Sequence, residues 1–210
     1  ATGSIAVRDA LKKEIKEKGL EEKVVVVETG CNGFCAMGPL LVVHPDGVFY
    51  QKLKADDAAE LVEKHLIKGE IIERLLYKDP TTKKKIAIQD DIPFFGNQMS
   101  RALRNKGLVD PEKIDDYIIR DGYRSAARAL FEMGPEDIVE QMKISGMRGR
   151  GGGGFPTGVK WDFAYKSQGD VKYVLCNADE GDPGAFMDRS ILEADPHSVL
   201  EGMIIAAKAI

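Results

Sequence analysis

Four consecutive glycines at 151–154 stand inside the segment GMRGRGGGGFPTGVKWDF, residues 146–163. Glycine loses more backbone freedom on folding than any other residue, so such a run points to left-handed backbone or to close approach of something to the main chain. Arg148, Arg150 and Lys160 surround the run with positive charge. Bare N–H groups between cations suit a phosphate, or a flat cofactor with polar edges. A floppy linker is the bland alternative, and Phe155, Trp161 and Phe163 argue against it because linkers seldom carry aromatics so densely. Gly149, Gly151 and Gly154 also match the G-x-G-x-x-G spacing of dinucleotide-binding loops. That pattern needs a strand directly ahead of it, whereas PEDIVEQMKIS, residues 135–145, has a helical period.

Beyond the loop, residues 171–175 (VKYVL) read as a buried strand that feeds into CNADEGDPG, residues 176–184. Polar groups just past the carboxyl end of a strand commonly line a ligand crevice in α/β sheets. Asn177 both donates and accepts hydrogen bonds, while Asp179 and Glu180 only accept when ionised. A solvated acidic turn is the competing reading of this segment. Cys176, at the end of the strand, is expected to be a small buried hydrophobe with no catalytic role.

The first part of the chain has another pattern. Residues 4–18 carry apolar side chains at helical spacing with Gly19 as a stop signal, and residues 23–28 (KVVVVE) form a β-branched run typical of a buried strand. Residues 40–44 and 48–53 follow as short strands around Pro45-Asp46-Gly47, and residues 55–66 form a second helix. An αβββα-like order in so few residues predicts a small α+β module with little core of its own. Its loop TGCNGFCAMGP places Cys31 and Cys35 close together, half the complement of a tetrahedral or [2Fe–2S] site. Half a zinc site with His44 or His65, a redox disulfide, and two buried thiols are the alternatives.

Residues 77–96, with two prolines and the lysine run 83–85, read as a linker. Residues 97–145 then carry helical stretches, with Pro111 and Pro135 near helix starts and Gly107, Gly122 and Gly134 between helices. The net charge of −4 leaves no basic footprint for nucleic acid. No run approaches the roughly 18 apolar residues of a membrane span, and no signal-peptide pattern opens the chain. An odd count of three cysteines favours metal or redox chemistry in a reducing, cytoplasmic setting over a disulfide framework. Ala1 at the start and an uncapped helical pattern at the end suggest a fragment.

MRGRGGGGFPTGVKW followed by YVLCNADEGDPGAFMDRSILEADPH resembles the NADH-binding flavoprotein subunit of respiratory complex I. It is equally similar to the corresponding β subunits of NAD-linked hydrogenases and formate dehydrogenases. The resemblance covers residues 77–210 and implies an α/β domain that binds FMN and NAD(H). It implies that Gly149, Arg150, Gly151, Gly152, Gly153, Gly154, Phe155 and Lys160 lie against the FMN, with Asn177, Asp179 and Glu180 completing the near side of the pocket. The family stacks the nucleotide's rings on aromatic residues, which here match Phe155 and Phe163, with Lys160 and Asp182 also near NADH. Two positions depart from the pattern: Gly153 stands where the family often has Ala, and Asp182 replaces a longer Glu. A further flavin-pocket segment and a four-cysteine [4Fe–4S] site are implied beyond the residues given.

The surroundings of Cys31 and Cys35 resemble the thioredoxin-like [2Fe–2S] ferredoxin domain, which implies that these two are the second pair of cluster ligands and that the first pair lies upstream. This fusion order resembles the β subunit of electron-bifurcating iron hydrogenases. The expected fold is α/β (α+β overall): a thioredoxin-like module at 1–76, the linker at 77–96, and the N-terminal portion of an FMN/NADH-binding domain at 97–210. The implied partners are NAD(H) and other iron–sulfur subunits of a multisubunit complex. Hydride transfer needs alignment rather than proton chemistry, so no catalytic acid or base is expected. A flavin-free scaffold subunit and a Rossmann NAD-dependent dehydrogenase are the competing functions, the latter requiring a strand ahead of Gly149.

Overall fold

The computed structural model describes residues 3–30 and 33–210; Cys31 falls outside them. Among the described residues the backbone mixes helices with two small antiparallel sheets, an α+β arrangement, in two compact units, Ala1–Arg104 and Asn105–Ile210.

In the first unit, α1 (Ser4–Glu17) buries Val7, Leu11 and Ile15, one stripe at four-residue spacing. Gly19, at φ 66°, turns the chain away from its end. Strands β1 (Leu41–Val43) and β2 (Val48–Tyr50) pair antiparallel with Leu41 opposite Tyr50 and Val43 opposite Val48. Gly47 supplies the left-handed residue of their turn, at φ 71°. The second predicted helix begins as α2 (Asp57–Glu60) and continues as a π-helical stretch, Leu61–Ile67. Val7, Leu11, Tyr50, Leu61 and Val62 meet in the core of this unit. Within it the Tyr50 hydroxyl accepts the Ile72 N–H at 3.1 Å and lies 2.6 Å from Nδ1 of buried His65. Burial holds the His65 pKa below its ordinary value, opposed by the carboxylate of Asp46.

Two expectations for this unit fail. Residues 23–28 run extended but enter no ladder among the described residues: Val24 and Val26 pack on the core, while Val25 is 78% exposed. The segment therefore buries one face, not two. Residues 77–96 are not a loose connector either. They form the hairpin β3 (Tyr77–Lys78) and β4 (Lys85–Ile86), then a helical turn, α3 (Pro93–Gly96). Tyr77 and Ile92 are buried with Phe49, and isolated bridges tie Leu76 to Tyr50 and Ile88 to Val48. The aromatic and β-branched residues of the segment outweigh its prolines and lysines, because they have a sheet face to cover.

The second unit is helical: α4 (Ile114–Ile119), α5 (Arg124–Glu132), α6 (Pro135–Ile144), α7 (Thr157–Lys166), α8 (Met187–Ala194) and α9 (Pro196–Ala209). Pro135 occupies the first turn of α6, where its missing N–H costs nothing. Ala129, Ile138, Val139 and Ala209 form the core, with Trp161 and Tyr165 packed against it. Residues 171–175 are extended but unpaired, and Val171, Tyr173 and Leu175 are exposed. Cys176 is exposed as well, contrary to the expected burial. The cause is the same for both: a strand needs a neighbouring row of backbone donors and acceptors, and both sheets lie in the first unit. Among the described residues no helix is long and apolar enough to cross a membrane.

Candidate functional site

The glycine run joins α6 to α7. Helix α6 ends at Ile144, and no strand lies between it and Gly149 among the described residues. The Rossmann arrangement thereby loses the element it requires. Instead the loop closes on itself. Gly149 N–H donates to Phe155 O at 2.9 Å, Thr157 N–H donates to Met147 O at 2.9 Å, and Arg148 pairs with Pro156 as an isolated bridge. The Arg148 guanidinium donates to Gly154 O at 2.9 Å, which fastens the far side of the run.

Above this closed base the glycines face open space. A Cβ at Gly151, Gly152, Gly153 or Gly154 would meet nothing within 4 Å. Gly152 at φ 113° and Gly154 at φ 58° occupy left-handed backbone, which a side chain would strain. No packing within the described residues demands these glycines, and the main chain is left open to approach by a flat group. Arg150 and Lys160 are exposed beside it, as are Phe155 and Phe163, whose ring centroids lie 6.5 Å apart at a tilt of 43°.

A glycine that sequence reasoning passes over sets the position of the loop. A Cβ on Gly158, near the start of α7, would sit 2.4 Å from Lys143 N and 2.7 Å from Met142 C. Gly158 thus lets α7 touch the backbone of α6, and the two helices hold the loop's ends together. Asp162 of α7 binds Lys166 at 2.8 Å and Lys143 of α6 at 3.3 Å. The Lys166 bond, more than that of Lys143, keeps its carboxyl below the ordinary range against the cost of burial. The only signal for Gly158 in the sequence is a glycine one residue inside a helix, which is easily read as part of the loop.

The segment at 176–184 is held by short-range bonds. Asn177 Oδ1 accepts the Asp179 N–H at 3.0 Å, leaving the Asn177 amide N–H₂ as a donor. Asp179 and Asp182 are exposed. Glu180 turns the other way and accepts from the first turn of α8, at 2.8 Å from Asp188 N and 3.1 Å from Arg189 N. Lys172 anchors the approach to this segment by donating to Tyr165 O at 2.8 Å. Among the described residues no hydrogen bond joins Asn177, Asp179, Glu180 or Asp182 to the glycine loop. The structure brings Phe155 beside Phe163 and Arg148 against the loop; it does not bond the loop to the acidic segment.

The other expected site lies in the first unit. Cys31 is outside the described residues, and Cys35 is exposed at the start of a 3₁₀ turn, Cys35–Met37. Phe34, unremarked in the sequence, seats this turn: its ring stacks on Phe94 at 4.7 Å and meets Tyr77 at 5.5 Å and Phe95 at 5.4 Å. His65 is bonded to Tyr50, and His44 is exposed. Among the described residues no three His, Cys, Asp or Glu side chains gather as a metal cage.

Comparison with known proteins bears on the second unit most directly. Residues 122–210 match the family model described as the Nuo51 FMN-binding domain. The NADP-reducing hydrogenase subunit HndC of Solidesulfovibrio fructosivorans is 56% identical over 113 residues, which are 54% of this chain and 23% of that protein. An NADH-quinone oxidoreductase subunit of Rhizobium meliloti is 51% identical over 108 residues, 51% of this chain and 26% of that one. The chain spans about a quarter of the length of these curated relatives. A solved thioredoxin-like [2Fe–2S] ferredoxin from Aquifex aeolicus is 46% identical, with a TM-score of 0.34, over 35% of this chain and 67% of that one. The match over 122–210 takes in the helix-flanked glycine loop, so that part of the chain is similar to the Nuo51 FMN-binding domain.

Proposed function

We propose that this chain is part of an electron-transfer oxidoreductase subunit that exchanges hydride between NAD(H) and FMN and hands single electrons to iron–sulfur clusters. The observation that carries this is the glycine run, closed at its base and open above, inside a segment that matches an FMN-binding family. The loop fits a flat ring system: bare backbone, two left-handed glycines, and open space where side chains would otherwise stand. Bound FMN would supply the conversion of a two-electron hydride step into single-electron steps.

The chain's own residues contribute position and charge. Gly149 and the glycines at 151–154 allow close approach to the main chain. Arg150 and Lys160 balance anionic groups. Phe155 and Phe163 offer faces for stacking a nucleotide's rings. Asn177, Asp179 and Asp182 supply a donor and acceptors for polar ring edges and ribose hydroxyls. No side chain here is assigned the role of a catalytic acid or base.

In the first unit, Cys31 and Cys35 would contribute two thiolates to a [2Fe–2S] cluster, the exposed Cys35 turn being seated by Phe34. A [4Fe–4S] cluster and the partner iron–sulfur subunits of an NAD-linked hydrogenase or NADH dehydrogenase complete the reading. The names of the two relatives above support it. Anaerobic addition of NADH to the FMN-loaded intact protein tests it. Bleaching of the flavin's visible absorbance is the expected result. Bound flavin that NADH leaves unbleached would overturn the hydride step, and a protein unable to hold FMN would favour the flavin-free scaffold reading.

A further inference from the structure

The lysine run at 83–85 belongs to a fixed hairpin, not to a connector. In the ladder of β3 and β4, Tyr77 stands opposite Ile86 and Lys78 opposite Lys85. Tyr77 is buried, so its face is turned to the core, and Lys78 and Lys85 stand on the other, exposed face. The turn between the strands is held from within. Asp79 Oδ1 accepts the Thr81 N–H at 2.8 Å and the Thr82 N–H at 2.7 Å. The Asp79 N–H donates to Lys84 O and the Lys83 N–H to Asp79 O, both at 2.9 Å. Lys83, at φ 60°, turns the chain through left-handed backbone, and Lys84 follows it, both side chains exposed.

The fold of this hairpin does not call for so many lysines. Lys78 and Lys85 face each other across the ladder, a placement that is destabilising for like charges. Glu73 offsets one of them, at 2.9 Å from Lys85 Nζ. Among the described residues Lys78, Lys83 and Lys84 form no salt bridge. Asp79 attracts Lys83, but its carboxyl is committed to the turn, the Thr82 amide above all holding it below the ordinary range. Lysines on a strand edge can keep another chain from pairing with it. That accounts for Lys78 and Lys85, but Lys83 and Lys84 lie on the turn, beyond the ladder. The result is a cationic projection on a chain whose net charge is −4.

The projection is rooted beside the cysteine turn. Tyr77, next to Lys78, meets the ring of Phe34 at 5.5 Å, and Phe34 adjoins the exposed turn that begins at Cys35. We propose that the hairpin is a docking surface for an acidic segment of a partner protein, held by Lys78, Lys83 and Lys84 next to the Cys35 turn. A nucleic-acid duplex or a lipid surface extends far past a hairpin of this size and would meet the net negative charge of the chain. An acidic protein segment meets the lysines alone. That the partner is one of the iron–sulfur subunits rests on the function proposed above; the docking rests on the hairpin.

Titration of the intact protein with a short, fluorescently labelled oligoglutamate peptide tests this, read by anisotropy and by the acetylation rate of each lysine under limiting reagent. Saturable binding is expected, weakening about tenfold as salt rises from about 0.05 to 0.2 M. Lys78, Lys83 and Lys84 should be protected from acetylation, and the lysines of α1 should not. Lys78→Glu combined with Lys84→Glu should weaken binding about tenfold or more. That variant should unfold at no lower temperature, because Lys78→Glu turns the opposed pair with Lys85 into an attractive one. Lys83→Gln with Lys84→Gln, which leaves the ladder untouched, decides the binding result if the first variant does not fold. Unchanged binding in the folded variant overturns the proposal, as does equal acetylation of the three lysines with and without peptide. Tighter binding of an RNA oligonucleotide or of phosphatidylglycerol vesicles at the same salt also overturns it, by assigning the lysines to a phosphate-bearing surface. None of these readouts needs FMN or a cluster, so failure of the docking and failure of the functional reading are separable.

Discussion

Glu201, on α9, caps α5 from 75 residues away: its Oε1 accepts the Ala126 N–H at 3.0 Å. Its Oε2 accepts the Tyr123 N–H at 3.0 Å and the Tyr117 hydroxyl at 2.5 Å. Tyr123 sits at φ 60°, left-handed for a non-glycine, and turns the chain so that the first amides of α5 converge on this carboxylate. Two helices that flank the core of the second unit are thereby joined through one buried side chain.

Burial by itself would raise the Glu201 pKa, but the Tyr117 hydroxyl and the Ala126 and Tyr123 amides outweigh it and hold the carboxyl below its ordinary value. With the folded pKa depressed, the stabilisation is fully present above the unfolded value of 4.5 and is lost as pH falls through the folded value. Glu201→Gln should flatten the acid limb of the stability curve of the second unit. Glu201→Ala, which strands several buried donors, should cost about 2–4 kcal/mol in chemical denaturation.

His65 gives the first unit its own acid sensitivity, at higher pH. Its pKa is depressed by burial, so the neutral ring is the folded form. The stabilisation is complete above the unfolded value of 6.5 and declines as pH falls below it towards the folded value. A histidine-resolved NMR titration should show His65 charging below its ordinary value of 6.5. Charging at or above that value would contradict the buried Tyr50–His65 pair.

Gly158→Ala tests the contact that closes the loop. In an open helix position the change would stabilise by up to about 1 kcal/mol. Here the added methyl meets the backbone of Lys143 at 2.4 Å, so α6 and α7 must separate. The expected outcome is destabilisation by about 1–3 kcal/mol, with weaker FMN binding. A variant at or above wild-type stability would show that the helices pack otherwise.

Phe34→Ala should loosen the cysteine turn. The ring meets Phe49, Tyr77, Phe94 and Phe95, and removing it should cost about 2–4 kcal/mol in the first unit. Amides at 35–37 should lose protection before those of α1 do.

Short-range signals carry the readable part of this sequence. The stripe Val7–Leu11–Ile15 with Gly19, the turn at Gly47, and Gly134-Pro135 all specify local backbone, and the structure has them in place. Residues 23–28 and 171–175 mislead because a strand is defined by a partner, and a run of valines does not say whether one exists. Their alternation of half-buried and exposed residues is that of extended chain with one covered face. The segment 77–96 misleads because its prolines and lysines lie on the surface while Tyr77, Ile86, Ile92 and Phe95 fill the core beneath. At the site, the open glycine run is legible from composition. The caps made by Glu180 and Glu201 are not, since each joins residues that no local pattern connects.

Titration of the intact, flavin-stripped protein with FMN addresses the central claim most directly, comparing wild type with Gly152→Val and Gly153→Ala. A Cβ at either glycine meets no neighbour, so both variants should fold, with about 1–2 kcal/mol of backbone strain confined to Gly152→Val. Saturable FMN binding by wild type and Gly153→Ala, and its loss in a folded Gly152→Val, is the predicted result. Full FMN occupancy in Gly152→Val would contradict it, because a ring lying against that backbone leaves no room for an isopropyl group.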